Sequence, residues 1–429
     1  MSAAADALGG PEIAVLGGGF GGLYTALRLS SLDWEGGPAP RVTLVDRSDR
    51  FSFSPMLYEL ATGTATSWEV APRYEDLLSG TPVEFVRGEV RGLDEEERLV
   101  TVGTSDDADR QLPYDCCVLA FGLQPLTSAV PGVVEHAQTF HSVDDAIELK
   151  RQLALASRGS GGEPLRVGIV GGGYVGVELA ANLATLGAAP PSVTLVHRSS
   201  QLLPDATGFS REEAQRRLLD AGVELRLDTQ VESVGPSSLT LTPSGAGDAE
   251  PAELPVDLTL WSAGMTSASV VPSLGLPLDA RGRIDADATL RVRGHDRLFA
   301  LGDAASVVDA RRVAAPPTAQ AAMQQSDYVA WNVRASLRQE ALLPFRYENL
   351  GEMLSLGPDS ASIAALAEAV RLSGPLASAA RRAVYAARMP TGSQAAKVGL
   401  SWAVDAAFGA MRKAVQAKPA SAAQKAKGL

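Results

Sequence analysis

Two stretches of the chain share one hydropathy pattern: a short continuous apolar run, a cluster of glycines, then an alanine- and leucine-rich stretch with helical spacing. Ile13-Ala14-Val15-Leu16 leads through Gly17-Gly18-Gly19-Phe20-Gly21-Gly22 into residues 23–29, and Val167-Gly168-Ile169-Val170 leads through Gly171-Gly172-Gly173-Tyr174-Val175-Gly176 into a second such stretch. A continuous apolar run bounded by turn residues reads as a strand buried on both faces, so each stretch predicts strand, turn, helix. A further apolar strand follows each, over 41–46 and over 193–198, and completes two βαβ units. Strands are also expected at 116–120, leading to Phe121-Gly122, at 258–261 and at 298–301, with a helix over 318–337 announced by Pro316-Pro317. The run Arg158-Gly159-Ser160-Gly161-Gly162-Glu163-Pro164 reads as a flexible connection, the Pro/Gly/Ser-rich residues 235–255 as a surface excursion, and everything from about Pro344 as a separate tail.

Glycines at the first, third and sixth positions of such a turn permit a tight reversal, close approach of backbone to a pyrophosphate, and close packing of helix on strand. The helix N-terminus adds amides and the positive end of a dipole. A single turn of this form also arises for steric reasons alone, whereas two in matched context imply two dinucleotides and electron transfer between them. An acid closing the second strand of such a unit accepts hydrogen bonds from ribose hydroxyls, and Asp46 holds that place in the first unit. The second unit reads His197-Arg198-Ser199 there, without a carboxylate. An arginine and a hydroxyl would bind a 2′-phosphate that a carboxylate would repel, so this pocket is expected to favour NADPH over NADH. The bland alternative is that Arg198 is a solvated loop residue.

Composition narrows the field. At 429 residues the chain suffices for two or three domains, and its net charge of −12 argues against nucleic acid as a partner. Its two cysteines, Cys116 and Cys117, lie side by side in an apolar run and read as small core residues rather than as a redox pair. The four histidines, His136, His141, His197 and His295, show no metal-ligand spacing, so no metal is expected. No run of eighteen apolar residues predicts a spanning helix, and the first eleven residues resemble neither a signal nor a transit segment.

Gly302-Asp303 after the strand at 298–301 matches a third element of two-dinucleotide flavoproteins, whose aspartate holds the ribityl or pyrophosphate part of FAD. Together with Gly17–Gly22, Asp46, Ala120-Phe121-Gly122, Gly171–Glu178, Trp261-Ser262-Ala263-Gly264 and Ala319-Gln320-Ala321-Ala322-Met323-Gln324-Gln325, the chain resembles the type II NAD(P)H dehydrogenases, or alternative NAD(P)H:quinone oxidoreductases. Phe51-Ser52-Phe53-Ser54-Pro55-Met56-Leu57-Tyr58-Glu59-Leu60, Asn349-Leu350-Gly351-Glu352-Met353 and Lys397-Val398-Gly399-Leu400-Ser401-Trp402 resemble the plastid and cyanobacterial branch, which reduces demethylphylloquinone and other prenylquinones. The resemblance implies an α/β flavoprotein of two Rossmann-like domains, the NAD(P)H domain (165–281) inserted into the FAD domain (12–157 and 282–343), with a membrane-associating helical tail (344–429). It implies that Gly17, Gly19, Phe20, Gly22, Asp46, Val90, Ala120, Gly122, Gly302, Asp303 and Ala319 meet FAD. Gly171, Gly173, Tyr174, Gly176, Glu178, His197, Arg198 and Gly264 would meet NADPH or NADH. Glu178 has a second reading as a first-turn carboxylate favoured by the helix dipole. Gln320 and Gln324, spaced i, i+4, would offer amides to quinone or flavin, or else form an ordinary polar helix face.

A prenylquinone reductase must touch a lipid surface. Leu400, Val404, Phe408, Met411 and Val415 form an apolar stripe at helical spacing, flanked by Lys397, Arg412 and Lys413 and preceded by Arg381, Arg382 and Arg388, a pattern suited to anionic lipid interfaces. The competing reading of this helix is a homodimer contact or a cap on the core. By resemblance the protein is expected at the thylakoid or plastoglobule surface of a chloroplast, with a mitochondrion or a cyanobacterial membrane as alternatives. Other readings keep the flavin but pass electrons to a protein acceptor, or make the chain a nucleotide-sensing interaction protein. A sulfide:quinone oxidoreductase would need well-separated reactive cysteines.

Overall fold

Each glycine turn emerges from a five-stranded parallel sheet. In the computed structural model, which describes residues 10–34, 37–105, 109–159, 163–245 and 250–416, the first sheet has the order Leu298–Ala300, Cys116–Leu119, Glu12–Leu16, Arg41–Asp46, Val83–Arg87. Val15, Leu16, Leu44, Val45, Val118, Leu119 and Phe299 are fully buried, as strands covered on both faces must be. The helices Phe20–Ser31 and Ala319–Leu337 pack together on this domain. The second sheet runs Glu224–Arg226, Ser192–Val196, Arg166–Val170, Leu258–Trp261, Ala137–Thr139, again all parallel. Leu298–Ala300 pairs with Cys116–Leu119 although the whole second glycine unit lies between them in sequence, so the second nucleotide-binding fold is inserted into the first.

Several expectations need correction. Ala137–Thr139 falls within the span 12–157 expected for the first domain, yet it extends the second sheet beside Leu258–Trp261, so the chain crosses to the inserted fold well before residue 157. The connection at 158–164 is partly helix, Val143–Gly159, and residues 160–162 lie outside the described residues. Residues 235–255 are no loose excursion: Ser238–Pro243 and Ala252–Pro255 join Thr229–Val234 in an antiparallel sheet. Their period-two alternation sends Leu239 and Leu241 into a core with Val231, Val234, Val256 and Trp261.

The tail also begins later than expected. Glu352–Ser355, Ala361–Ala365 and Val370–Ser373 form an antiparallel sheet whose strands touch the helices Tyr174–Leu183 and Gly208–Asp220. One compact unit runs to Ser378, and a second starts at Ala379. The second unit comprises most of the helix Gly374–Ala387 and the helix Gly392–Gln416. On the latter, Leu400 and Val404 are exposed, while the Phe408, Met411 and Val415 side chains, with Arg412 and Lys413, lie outside the described residues. Arg381 does not join a basic outer face, because it is buried with its guanidinium 5.2 Å above the Tyr385 ring. Among the described residues no helix is long and apolar enough to cross a membrane.

Candidate active site

The three key glycines of the first turn answer to different constraints. Gly17 has φ +101, and a Cβ there would stand 2.3 Å from the Ala120 carbonyl oxygen. At Gly22 a Cβ would stand 1.7 Å from the Gly17 carbonyl oxygen, so strand and helix approach too closely for any side chain. Gly19, by contrast, has open space where a Cβ would point and an extended φ of −66 that any residue adopts. The chain therefore explains the first and last glycines by itself and leaves the middle one open towards a cradle at the helix mouth. Gly171, Gly173 and Gly176 repeat this: φ +116 at Gly171, 1.8 Å from a Gly176 Cβ to the Gly171 oxygen, and open space at Gly173.

Asp46 lies at the rim of the first cradle, where its Oδ2 accepts the Gly18 amide at 2.6 Å and its Oδ1 the Ser48 amide at 2.8 Å. Burial raises its pKa against the pull of those two amides and Arg47. Each carboxylate oxygen retains a lone pair for a ribose hydroxyl. Tyr74, which the sequence did not single out, donates its hydroxyl to the Gly18 carbonyl at 2.9 Å and stacks on Phe85 at 4.6 Å. The Gly88 amide bonds the Asp46 carbonyl at 2.9 Å and so draws Val90 towards this rim. Phe20 packs edge-on against Phe51 and Phe53 at 5.2 and 5.3 Å. Ala120 closes over Gly17 and Gly22, and Gly122 follows at φ +66 with open space beside it.

In the second cradle His197 occupies the position of Asp46 and repeats its contact: its Nδ1 accepts the Gly172 amide at 3.1 Å. That fixes the neutral tautomer with the proton on Nε2. Burial and then the neighbouring Arg198 push the imidazole pKa down, in keeping with that tautomer. The histidine thus supports the turn, and Arg198 beside it is exposed and makes no ion pair with the described residues. Glu178 does not fit the reading as a first-turn carboxylate. It falls past the first turn of its helix and is buried, and its Oε1 accepts the Ser355 amide at 2.9 Å. Gly264 has φ +76 and accepts the Leu126 amide at 3.1 Å, while the Trp261 indole donates to the Leu126 carbonyl at 3.0 Å.

Gly302 and Ala319 bring the third element to the first cradle. The Gly302 amide, at φ +67, donates to Gln325 Oε1 at 2.7 Å, and the Leu301 amide bonds the Leu119 carbonyl at 3.2 Å. Asp303 takes no hydrogen bond from the described residues, and burial, only partly opposed by Arg283, lifts its pKa to about 6. A half-buried carboxylate without a protein donor is what a sugar-alcohol chain would satisfy. The open cradle at Gly19, the Asp46 lone pairs and this carboxylate together fit FAD, and the open cradle at Gly173 fits a nicotinamide dinucleotide.

The two glutamines do not stand free. Gln320 donates to the Gly351 carbonyl at 3.1 Å and accepts from the Tyr347 hydroxyl and the Leu350 amide, both at 3.0 Å. Gln324 donates to the Glu348 carbonyl at 2.8 Å and accepts its amide at 2.9 Å. Their shared helix face is turned to the 347–351 segment, leaving one N–H per amide for other partners. Thr318 caps their helix by accepting the Ala321 amide at 3.2 Å, and Ala319 is its first residue. The cysteines are buried and form no disulfide, with burial pushing the Cys116 thiol up to about 12 and that of Cys117 well above its ordinary value. No thiolate chemistry is available to either at neutral pH.

Comparison with known proteins agrees with this geometry. The family of pyridine nucleotide-disulphide oxidoreductases matches residues 11–326. A demethylphylloquinone reductase of Synechocystis is 41% identical over 91% of this chain and 95% of its own length. An alternative NAD(P)H-ubiquinone oxidoreductase, chloroplastic/mitochondrial, of Arabidopsis thaliana is 40% identical over 91% of this chain and 80% of its own length. Among solved structures, NDH2 from Plasmodium falciparum, in complex with NADH, shares the fold with a TM-score of 0.79 at 17% identity, covering 90% of this chain and 96% of that one.

Proposed function

The chain belongs to the pyridine nucleotide-disulphide oxidoreductases and, within them, to the type II NAD(P)H:quinone oxidoreductases, and on that footing we propose that it prefers NADPH and reduces a membrane prenylquinone such as demethylphylloquinone or plastoquinone. It is an FAD-dependent oxidoreductase that takes electrons from NAD(P)H to a quinone. FAD, when bound, supplies the two-electron chemistry, so no side chain is needed as a nucleophile. The chain's own residues bind and orient. Gly17, Gly19 and Gly22 with Asp46 hold the adenosine diphosphate half of FAD, Val90 meets the adenine, and Asp303 accepts from the ribityl chain. Gly171, Gly173 and Gly176 admit the nicotinamide dinucleotide, and Gly264 leaves room for its ring. The N-terminus of the helix that starts at Ala319 presents amides and a positive dipole end to negative charge developing on the acceptor side.

The observation that carries the NADPH preference is the exposed Arg198 without an acidic partner, next to His197, which stands where the first unit has Asp46. Replacing Arg198 by Glu should reverse the ratio of kcat/KM for NADPH and NADH, because a 2′-phosphate would lose a cation and meet an anion. An unchanged ratio would refute the assignment. The second unit, with Leu400 and Val404 exposed on its last helix, is proposed as the peripheral membrane contact. A homodimer through the same helix is the alternative. Surfaces of thylakoids, plastoglobules or cyanobacterial membranes suit the two relatives described above.

A further inference from the structure

One short strand ties the nucleotide end of the protein to the helix that carries Gln320. Glu352, in Glu352–Ser355, accepts the Thr207 amide at 2.9 Å and the Thr207 hydroxyl at 2.6 Å on Oε1, and the Tyr174 hydroxyl at 2.8 Å on Oε2. Thr207 caps the helix Gly208–Asp220, and Tyr174 is the first residue of the helix beyond the open Gly173. Burial raises the Glu352 pKa, but the hydrogen bonds of Thr207, Ser210 and Tyr174 outweigh it and hold the carboxylate below its usual range. Burial, then Glu352, pushes the Tyr174 phenol far up, so the pair persists as phenol and carboxylate. Three residues on, the Ser355 amide bonds Glu178 of the same nucleotide helix at 2.9 Å. One and two residues back, Gly351 and Leu350 bond Gln320.

We propose that Glu352 is a positioning residue for the nucleotide half-reaction, fixing the Tyr174 ring at the mouth through which the nicotinamide dinucleotide enters. The inference rests on the NAD(P)H reading of that cradle. Three convergent donors leave the carboxylate little freedom, and the phenol it holds follows directly on the one glycine of the turn whose Cβ side is open. Tyr174 thereby becomes a fixed wall of the entry, and its position depends on a strand 178 residues away in sequence.

Half-reactions measured separately on the flavin-loaded full chain test this. Because the lost hydrogen bonds are to a charged group, Glu352→Ala should raise the KM for NADPH or slow flavin reduction roughly 10-fold or more. Reoxidation by quinone should stay near the wild-type rate. Glu352→Gln, which keeps the Thr207 contacts and can donate to the Tyr174 oxygen, should restore most of the loss. Tyr174→Phe should err in the same direction, and the double variant should be no worse than Glu352→Ala. Normal reduction in all three variants, additive losses, or equal damage to both half-reactions would overturn the proposal. If Glu352→Ala fails to fold, Glu352→Gln and Tyr174→Phe carry the test. A wild-type protein that NADPH does not reduce would instead sink the reading on which the inference rests.

Discussion

At the scale of single residues, the glycine turns separate what folding requires from what a ligand requires. A Gly22→Ala side chain would meet the Gly17 carbonyl at 1.7 Å, beyond what the ordinary overpacking cost of about 1–3 kcal/mol can absorb. Gly19→Ala meets nothing within 4 Å. In flavin-free protein we expect Gly19→Ala to unfold at the wild-type temperature and Gly22→Ala to unfold lower, while Gly19→Ala binds flavin less well; equal unfolding temperatures for the two variants would contradict this division. Asp303 gives a pH signature. In flavin-free protein its pKa of about 6 lies above the ordinary 3.8, so between those values the folded state binds more protons than the unfolded one. Its contribution to stability is therefore greatest below about pH 4 and falls as pH rises through 6, by about 3 kcal/mol in all. A ribityl hydroxyl favours the ionised carboxylate, so FAD affinity should rise with pH across the same window, and Asp303→Asn should flatten that rise. Titrating FAD into the apoprotein from pH 5 to 8 measures it. These residue types were legible in the sequence, because turn glycines and a strand-terminal acid announce themselves; Tyr74 and Glu352 were not, because their partners lie 56 and 178 residues away.

At the scale of elements, legibility followed the strength of local pattern. The buried parallel strands and their helices were read closely, since four or five continuous apolar residues beside a glycine cluster have few other meanings. Ser238–Pro243 was overlooked because serine, proline and glycine around it outweighed a five-residue alternation. The strands Glu352–Ser355 and Ala361–Ala365 were overlooked because alanine and serine carry little hydropathy contrast, and their burial comes from the helices they touch. This sheet changes the meaning of Gln320. Removing its amide would strip an acceptor from the Tyr347 hydroxyl and the Leu350 amide and a donor from the Gly351 carbonyl. Gln320→Ala should therefore lower stability by about 1–3 kcal/mol in denaturant titration. A side chain that served only the quinone would raise the quinone KM and leave the unfolding midpoint in place.

At the scale of the whole molecule, two cradles of the same design stand on two parallel sheets, one inserted in the other, and the elements that join them include the strand bearing Glu352. The nesting was expected from family resemblance and is written in the pairing of Leu298–Ala300 with Cys116–Leu119. The inert cysteines leave electron flow to the bound cofactors, which sets this chain apart from flavoproteins that relay through a dithiol. Two electrons are proposed to pass from NADPH through FAD to a prenylquinone. Anaerobic stopped-flow spectroscopy of the flavin-loaded protein tests it most directly, first mixing with NADPH or NADH and then with a prenylated naphthoquinone or plastoquinone analogue. The flavin band should bleach rapidly, faster with NADPH, and recover rapidly on quinone addition. Bleaching without recovery, or recovery only with a small iron-sulfur protein, would contradict it.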